Sequence, residues 1–351
     1  MEDHAQAGKM NLTFLTNSSI NGSFDLHNKE NLTSVVGVTD VQFMPLFYSA
    51  YVIIFLASLF GNSVIIHIIR TDNSMKNSTN YLILNQACSD LLITMAQLMN
   101  LLVPFYHLAS RWFGGLLGLI TCKCFLGSMV ILPVFSIWML VTIAVDRFYA
   151  VTRPLRLSPI AQHLKKIIVS LWAWSIASST NVLVNGTALT IEGHYYCYIA
   201  DAWITFHFIL GTGVNVALPL LIIIVLYTIV CHKLWSRDVP AEGANQNHGQ
   251  AAARKVTRMM VVIVVLYVLC WLPLDIILFL EFLGYVEINV SIYFFLVWLT
   301  VAFSGINPYI YLTLSQKFRH RFKDLFGNCL RNIRIHNVLS FRSQSVELEQ
   351  I

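Results

Sequence analysis

The sequence predicts an all-α fold, a seven-transmembrane-helix bundle with a short amphipathic eighth helix on the inner membrane surface. Composition is the first reason: 56% of the residues are hydrophobic, 12% are charged and the mean hydropathy is +0.65. The charged share is about half that of an average soluble protein, which excludes an ordinary soluble enzyme and a disordered chain. The second reason is a set of seven long apolar stretches, near 45–69, 81–104, 119–145, 164–185, 203–231, 258–283 and 292–313.

Each apolar stretch is long enough to cross a membrane as a helix, because about 20 residues cover a hydrocarbon core of roughly 30 Å. A helix also satisfies its own backbone hydrogen bonds there. The stretches lack the alternating pattern of about ten residues that is typical of outer-membrane barrels. We therefore divide the chain into a polar N-terminal tail (1–44), a seven-helix domain (45–313) and an amphipathic helix with a cytoplasmic tail (314–351).

The eighth helix is predicted from its apolar spacing after the last stretch. Phe318, Phe322 and Phe326 recur every four residues, with basic residues between them. This pattern is typical of a helix that lies on a membrane surface.

The distribution of charge orients the bundle. Arg70, Arg153 and Arg237 lie in the connections after the first, third and fifth stretches, and Lys317 follows the last one. The positive-inside bias places these segments in the cytoplasm, while the opposite connections are acidic. The net charge of +5 is thus the sum of a basic inner face and an acidic outer face, and it does not indicate a nucleic-acid-binding surface.

Glycosylation sequons agree with this orientation, because glycans are added only on the outer side. Asn77 lies on the predicted inner side and is expected to stay unmodified. The tail before Phe43 contains no apolar signal-peptide core, so the first stretch is expected to act as an uncleaved signal anchor. The expected glycosylation sites are Asn11, Asn17, Asn21, Asn31, Asn185 and Asn289.

The seven cysteines do not form a disulfide-rich pattern, and no CxxC pair indicates zinc. Most of them lie singly inside apolar stretches. Cys122, Cys124 and Cys197 lie near the outer ends of stretches, where an oxidising compartment could join two of them.

Polar residues at membrane depth are costly and indicate function, and here they belong to recognisable motifs. Five motifs occur in the appropriate stretches and in order: Gly61-Asn62, Leu84-Asn85 with Ala87 and Asp90, Asp146-Arg147-Phe148, Cys270-Trp271-Leu272-Pro273 and Asn307-Pro308-Tyr309-Ile310-Tyr311. Over roughly residues 45–327 the chain resembles a rhodopsin-like (class A) G-protein-coupled receptor. The resemblance implies a receptor of the plasma membrane, with its N-terminus outside, that is not an enzyme and that activates heterotrimeric G proteins when the sixth helix moves outward.

The resemblance also implies a switch at the inner side. Arg147 would be held by Asp146 at rest and released toward the G protein on activation. Ala253 stands where many members have an acid that latches this arginine, so we expect the inactive state to be held less firmly. The other residues with switch roles are Tyr227, Tyr267, Asn307, Pro308 and Tyr311.

A sodium ion in a buried pocket is the one cofactor that the resemblance implies. Asp90 needs a cation or a proton in a medium of low dielectric constant, and hydroxyl and amide oxygens can complete the shell of a hard ion. The expected ligands are Asp90, Ser136, Ser304 and Asn307. The alternative is a protonated Asp90 that forms a hydrogen bond with Asn62.

Further expectations concern covalent bonds and partners. The resemblance pairs Cys122 with Cys197, a disulfide that ties the second outer loop over the ligand pocket. Cys329 is a candidate for palmitoylation. Serines near the C-terminus are candidates for phosphorylation, with receptor kinases, arrestin and membrane lipid as expected partners.

The class of ligand is predicted from two missing family residues and from one acidic residue in the sixth stretch. Met129 replaces the Asp of amine receptors, and Val301 replaces the Lys that binds retinal in opsins. The tyrosines around Cys197 resemble neuropeptide receptors, and Asp275 could pair with a cationic ligand such as an Arg-containing amidated peptide. The expected ligand-binding residues are Asp275, Trp271, Gln97, Met129, Asn215, Leu278, Tyr293 and Glu281.

Two alternatives stay open at the level of sequence. One is a class A receptor for a lipid or a small molecule. The other is a membrane transporter, which would be expected to show an internal repeat with broken helices. The sequence shows no such repeat, and it has none of the HExxH, GxSxG or phosphate-loop motifs of an enzyme.

Overall fold

The computed structural model describes residues 44–105, 112–153, 156–191, 194–200, 204–235, 244–286, 288 and 290–327. The described chain forms a bundle of seven spans. The first is Met44–Thr71, the second Ser78–Phe105, the third Gly115–Thr152, the fourth Pro159–Ser178 followed by Thr180–Asn185, the fifth Ile204–Thr212 with Gly213–Ala217 and Leu218–Trp235, the sixth Ala244–Phe282 and the seventh Val290–Leu314. The all-α prediction is confirmed.

Within the described residues, five helices are long and apolar enough to cross a membrane by length and composition. The second and fourth spans are not among them. The second carries polar residues such as Gln86 and Asp90 along its length, and the fourth carries Lys165 and Lys166. The five are Tyr48–Thr71, Gly115–Thr152, Phe206–Trp235, Arg254–Glu281 and Ile292–Leu314.

Two spans are longer than the apolar pattern predicts. The sixth begins at Ala244, well before the apolar stretch near 258–283. Its first two turns are rich in Asn and Gln. They give no apolar signal, because a helix that extends beyond the membrane does not need an apolar surface. The third span runs for 38 residues and ends at Thr152 in the cytoplasmic region.

A β-hairpin over the outer side was not expected from the sequence. Strand β1 (Gly186–Ile191) pairs antiparallel with strand β2 (His194–Ile199), with Ala188 opposite Cys197. Trp112 of the first outer loop adds an isolated bridge to Tyr195. The β-branched and aromatic residues of both strands favour this structure. The strands are short and lie between two long apolar stretches, so their pattern is difficult to recognise in the sequence.

The main hydrophobic core lies between the spans and includes residues from all seven, among them Ile65, Leu82 and Phe135. A separate outer cluster, centred on Tyr51, Val297 and Val301, joins the first and seventh spans. Apolar side chains on the outward faces stay exposed, as lipid contact requires.

A helix over residues 316–327 follows the seventh span, which agrees with the predicted amphipathic eighth helix; we call it the surface helix. Phe318 is 2% exposed and its ring lies 6.0 Å from that of Tyr311. Phe326 lies 6.0 Å from the Phe60 ring of the first span. The phenylalanines therefore fix this helix to the bundle.

Candidate functional site

The outer end of the third span is tied to the hairpin by a disulfide. Cys122 and Cys197 are bonded, with their Cα atoms 5.4 Å apart, which confirms the pairing that the resemblance implies. Cys124 is exposed and free. Because Cys197 lies on β2, the bond holds the hairpin against the outer end of the third span.

The first outer loop is fixed to the same place. The indole N–H of Trp112 donates to the carbonyl of Gly118 at 2.9 Å and to the hydroxyl of Thr121 at 3.1 Å. Gly114 has no room for a side chain, because a Cβ there would lie 2.5 Å from the Tyr195 ring. Residues 112–114, the hairpin and the third span therefore contact one another and form one outer unit.

Lys123 has a structural role in this unit. Its ammonium group donates to the carbonyls of Leu183 (2.6 Å) and Val184 (2.8 Å). These carbonyls end the helix Thr180–Asn185, where a cation is favourable.

At the centre of the bundle, Trp271 stacks nearly parallel on Tyr267, with ring centroids 5.9 Å apart. Tyr267 in turn meets Phe303 edge to face at 5.4 Å. Asp275 lies one turn outward of Trp271 on the same helix face. The Trp271 indole nitrogen and one oxygen of Asp275 are buried, and neither has a hydrogen-bond partner among the described residues.

Several predicted ligand-binding residues lie near the outer ends of the spans. Gln97 is 9% exposed, while Met129 and Leu278 are half-buried. Tyr293 packs against the outer cluster. Glu281 has a buried oxygen without a hydrogen-bond partner in the described part of the chain, and its carboxylate accepts the backbone N–H of Ile288.

Asn215 of the fifth span contacts the third and fourth spans. Its Oδ1 accepts from the indole groups of Trp138 (3.3 Å) and Trp174 (3.1 Å) and from Ser178 (3.5 Å). It therefore joins the third, fourth and fifth spans, and the structure does not bring it together with Asp275.

Asp90 is fully buried at the centre of a polar cluster. One carboxylate oxygen accepts from Ser304 (3.2 Å) and from Gln86 (3.3 Å), and the other accepts from Asn307 (2.9 Å). Ser136 contacts Gln86 at 2.6 Å instead of Asp90. Sequence reasoning missed Gln86, although its place four residues before Asp90 puts it on the same helix face.

The hydrogen bond between Asn62 and Asp90, offered as the alternative, is replaced by other contacts. The Asn62 side-chain amide donates to the backbone carbonyls of Ser58 (3.1 Å) and Ser304 (3.0 Å). Asn62 thus joins the first span to the seventh.

The sodium prediction does not fit the donor set well. Of its four expected ligands, Ser304 and Asn307 already donate to Asp90, and the amide nitrogen of Gln86 lies against both Asp90 and Ser136. A nitrogen with two hydrogens repels a cation. The sodium site stays a prediction, and no step of the proposed function depends on it.

At the inner side, the structure brings Asp146 and Arg147 together as predicted. An Arg147 guanidinium nitrogen lies 2.5 Å from Asp146, and Arg147 also donates to Thr79. Asp146 accepts from Thr79 at 2.9 Å and from Ser158 at 2.9 Å. Ser158 also accepts the backbone N–H of Ala161 as the cap of the fourth span.

Thr79 and Ser158 were not identified from the sequence. Thr79 looks like part of the Asn77 sequon, and Ser158 like an ordinary helix cap before Pro159. Each becomes a partner of Asp146 only because the second and fourth spans meet the third at this point.

The remaining switch residues lie in one core. Tyr227 and Tyr311 are buried, and the Tyr311 hydroxyl has no hydrogen-bond partner among the described residues. Pro308 packs directly against the backbone of Gly61. Ala253 lies on the sixth span, where the structure does not describe its side chain.

The modification sites fall mostly outside the described residues. These are Asn11, Asn17, Asn21, Asn31, Asn289 and Cys329. Asn185 is described and donates to Asn181 at 2.5 Å. Asn77 caps the second span by accepting the backbone N–H of Asn80.

The fold and the site define a seven-helix receptor. A profile described as "7 transmembrane receptor (rhodopsin family)" matches residues 61–311, and the chain belongs to this family. It is a multi-pass protein of the plasma membrane, and the family is one of receptors and not of enzymes.

Among its relatives, the substance-P receptor of Cavia porcellus is 31% identical over 297 residues, which are 81% of this chain and 71% of that one. The human substance-P receptor shows the same identity and coverage. The neuromedin-K receptor of Rattus norvegicus is 32% identical over 293 residues, 80% of this chain and 63% of that one.

Proposed function

We propose that this receptor binds a cationic neuropeptide from outside the cell and activates heterotrimeric G proteins by outward movement of the sixth span. The relatives support a peptide ligand, since they are receptors for substance P and neuromedin K. They do not favour a lipid ligand, a small molecule or a transporter.

The observation that carries the cationic ligand is Asp275. Its carboxylate lies one turn outward of Trp271, and one of its oxygens is buried with no hydrogen-bond partner in the described chain. Leaving an acceptor of this kind unpaired costs free energy that a ligand donor recovers. A guanidinium or ammonium group of the ligand supplies such a donor together with the opposite charge.

Transmission follows from the stack below Asp275. Trp271 lies on Tyr267, and Tyr267 meets Phe303 of the seventh span. A ligand that moves Trp271 changes this packing, and closely packed aromatic groups adopt discrete arrangements. Movement of the sixth span then frees the inner ends of the third and fifth spans for the G protein.

At the inner side, the G protein would engage Arg147 once it leaves Asp146 and Thr79. The basic residues of the sixth span and the surface helix complete this face. Phosphorylation of the C-terminal serines by receptor kinases, recruitment of arrestin and lipidation of Cys329 belong to the same proposal.

The test begins with cells that express the receptor and a library of arginine-containing amidated peptides, with substance P included and calcium and cyclic nucleotides as readouts. For the best agonist, we expect Asp275→Asn to lower potency about 10- to 100-fold. This corresponds to about 1.5–3 kcal/mol for a charged hydrogen bond at about 1.4 kcal/mol per decade.

A second comparison tests whether Asp275 forms an ion pair with the arginine of the agonist. Replacement of the agonist arginine by citrulline removes its charge and keeps its shape. We expect citrulline to weaken binding to the wild type and to have little further effect on Asp275→Asn. Glu281→Gln, measured beside it, shows whether the other predicted acidic ligand-binding residue contributes to the same charge pair. Additive losses would show that Asp275 does not contact the arginine.

A further inference from the structure

Gln86 lies where a sodium ion would need free space. It is 0% exposed and lies four residues before Asp90 on the second span, so both side chains share one helix face. Its Nε2 donates to Asp90 Oδ1 at 3.3 Å and to the hydroxyl oxygen of Ser136 at 2.6 Å. One nitrogen therefore joins two of the groups expected to bind the ion.

A cation held by Asp90 and Ser136 would need the same position. Hard cations of this size lie about 2.3–2.6 Å from their oxygen ligands, so an ion in contact with both oxygens would overlap the amide N–H groups of Gln86. The ion and the amide present positive charge to the same two oxygens. They therefore compete.

Two further donors reach Asp90 from the seventh span. Ser304 donates to the oxygen that Gln86 contacts, and Asn307 donates to the other oxygen. The carboxylate thus receives three donors from two spans, as a buried carboxylate requires.

Rotation of the Gln86 amide would offer its oxygen to an ion. In the observed orientation that oxygen is buried and has no hydrogen-bond partner among the described residues. Without an ion, rotation would place it against the carboxylate oxygen of Asp90 and remove one of the three donors to Asp90. The observed orientation therefore stabilises the ion-free cluster.

We propose that Gln86 replaces the sodium ion in this receptor: its amide nitrogen occupies the cation position between Asp90 and Ser136, and the receptor is insensitive to sodium. The inference does not depend on the ligand, because it concerns the centre of the bundle alone. It also gives Gln86 a role in joining the second span to the third.

The experiment measures thermal unfolding of the purified full-length chain with a dye that reacts with thiols, since Cys270 is buried and becomes reactive on unfolding. Sodium chloride is compared with N-methyl-D-glucamine chloride at about 150 mM, so that ionic strength stays constant. For the wild type we expect Tm to differ by less than about 1 °C between the salts, because an ion that does not bind adds no stability.

Two variants remove the amide. Gln86→Leu keeps most of the volume, and Gln86→Ala opens space if leucine fills the site. We expect sodium to raise the Tm of at least one of them by about 2–4 °C. Addition of Asp90→Asn should abolish that rise, because it removes the charge that attracts the ion.

Three results would overturn the proposal. A sodium-dependent Tm in the wild type that Gln86→Leu and Gln86→Ala abolish would make Gln86 a ligand of the ion. A sodium-dependent wild type that these variants leave unchanged would show that the amide does not compete. Insensitivity of the wild type and of both variants would show that Gln86 is not what excludes sodium.

Discussion

At the scale of single residues, Gly61 sets how closely the first and seventh spans approach. A Cβ at this position would lie 2.5 Å from Pro308 Cγ and 3.2 Å from Tyr309 Cε2. The proline ring cannot rotate away, as the end of a flexible side chain could. Gly61 is therefore required by packing, although glycine weakens a helix.

We expect Gly61→Ala to destabilise the receptor by about 1–3 kcal/mol, because the spans must separate to admit the methyl group. Thermal unfolding of the purified chain measures the change. Gly211→Ala is the matched control: it lies in a helix with nothing within 4 Å of the added Cβ, and we expect a gain of about 0.5–1 kcal/mol. Equal behaviour of the two variants would refute the packing argument.

The important charged residues could be predicted from the sequence one at a time. Asp90, Arg147 and Asp275 stand out because a charge in the membrane is costly without a function. The resemblance implied Asp146 beside Arg147, and Ser304 and Asn307 near Asp90. Other partners could not be predicted. Gln86 and Ser158 are ordinary residues in the sequence, and only the crossing of the spans brings them to Asp90 and Asp146.

At the scale of elements, the surface helix is held by an ion pair as well as by its phenylalanines. Arg321 lies 2.5 Å from Asp72 in the first inner loop and also donates to Ser74 at 3.1 Å. Hydrogen bonds from Ser74, and then the charges of Arg321 and Lys76, lower the pKa of Asp72. The carboxylate therefore stays charged at neutral pH, and the ion pair is lost only as pH falls through this lowered pKa.

We expect Asp72→Asn to loosen the surface helix at neutral pH, because Arg321 loses its nearest acid. Hydrogen exchange of the amides in 316–327 should become faster. Asp324→Asn is the control, since its carboxylate lies 3.7 Å from Arg321 and its side chain is 43% exposed, and such exposed pairs contribute little. Unchanged exchange in Asp72→Asn would show that the phenylalanines alone hold this helix.

Helices were predictable as elements, but their ends and irregular segments were less so. The apolar pattern predicts the position of each span, but the polar start of the sixth span gives no hydropathy signal. The five-residue π segment Gly213–Ala217 in the fifth span has no clear sequence signal. Its Asn215 accepts three hydrogen bonds from the third and fourth spans, contacts that accompany the π segment and that no local pattern predicts.

At the scale of the whole molecule, one disulfide links the third span to the hairpin across 75 residues. A crosslink over such a loop restricts the unfolded chain, which is worth about 2–4 kcal/mol. It also fixes the hairpin to the outer end of the third span, so we expect its loss to affect both stability and the position of the hairpin.

We expect Cys197→Ser to reduce surface expression and to weaken agonist potency in the receptor that reaches the surface. Flow cytometry and concentration–response curves measure the two effects. Cys124→Ser removes an exposed free thiol from the same region and should behave as the wild type. A strong defect in Cys124→Ser would indicate that Cys124 also takes part in a disulfide.

The sequence by itself determined the number of spans, their orientation, the family and the disulfide, because hydropathy, charge asymmetry and short motifs are local properties. The tertiary structure alone decided the other side-chain contacts of the site. It placed Asn215 among tryptophans, Thr79 and Ser158 on Asp146, and Gln86 between Asp90 and Ser136. Such contacts depend on the rotation and crossing of packed helices, which no local pattern encodes.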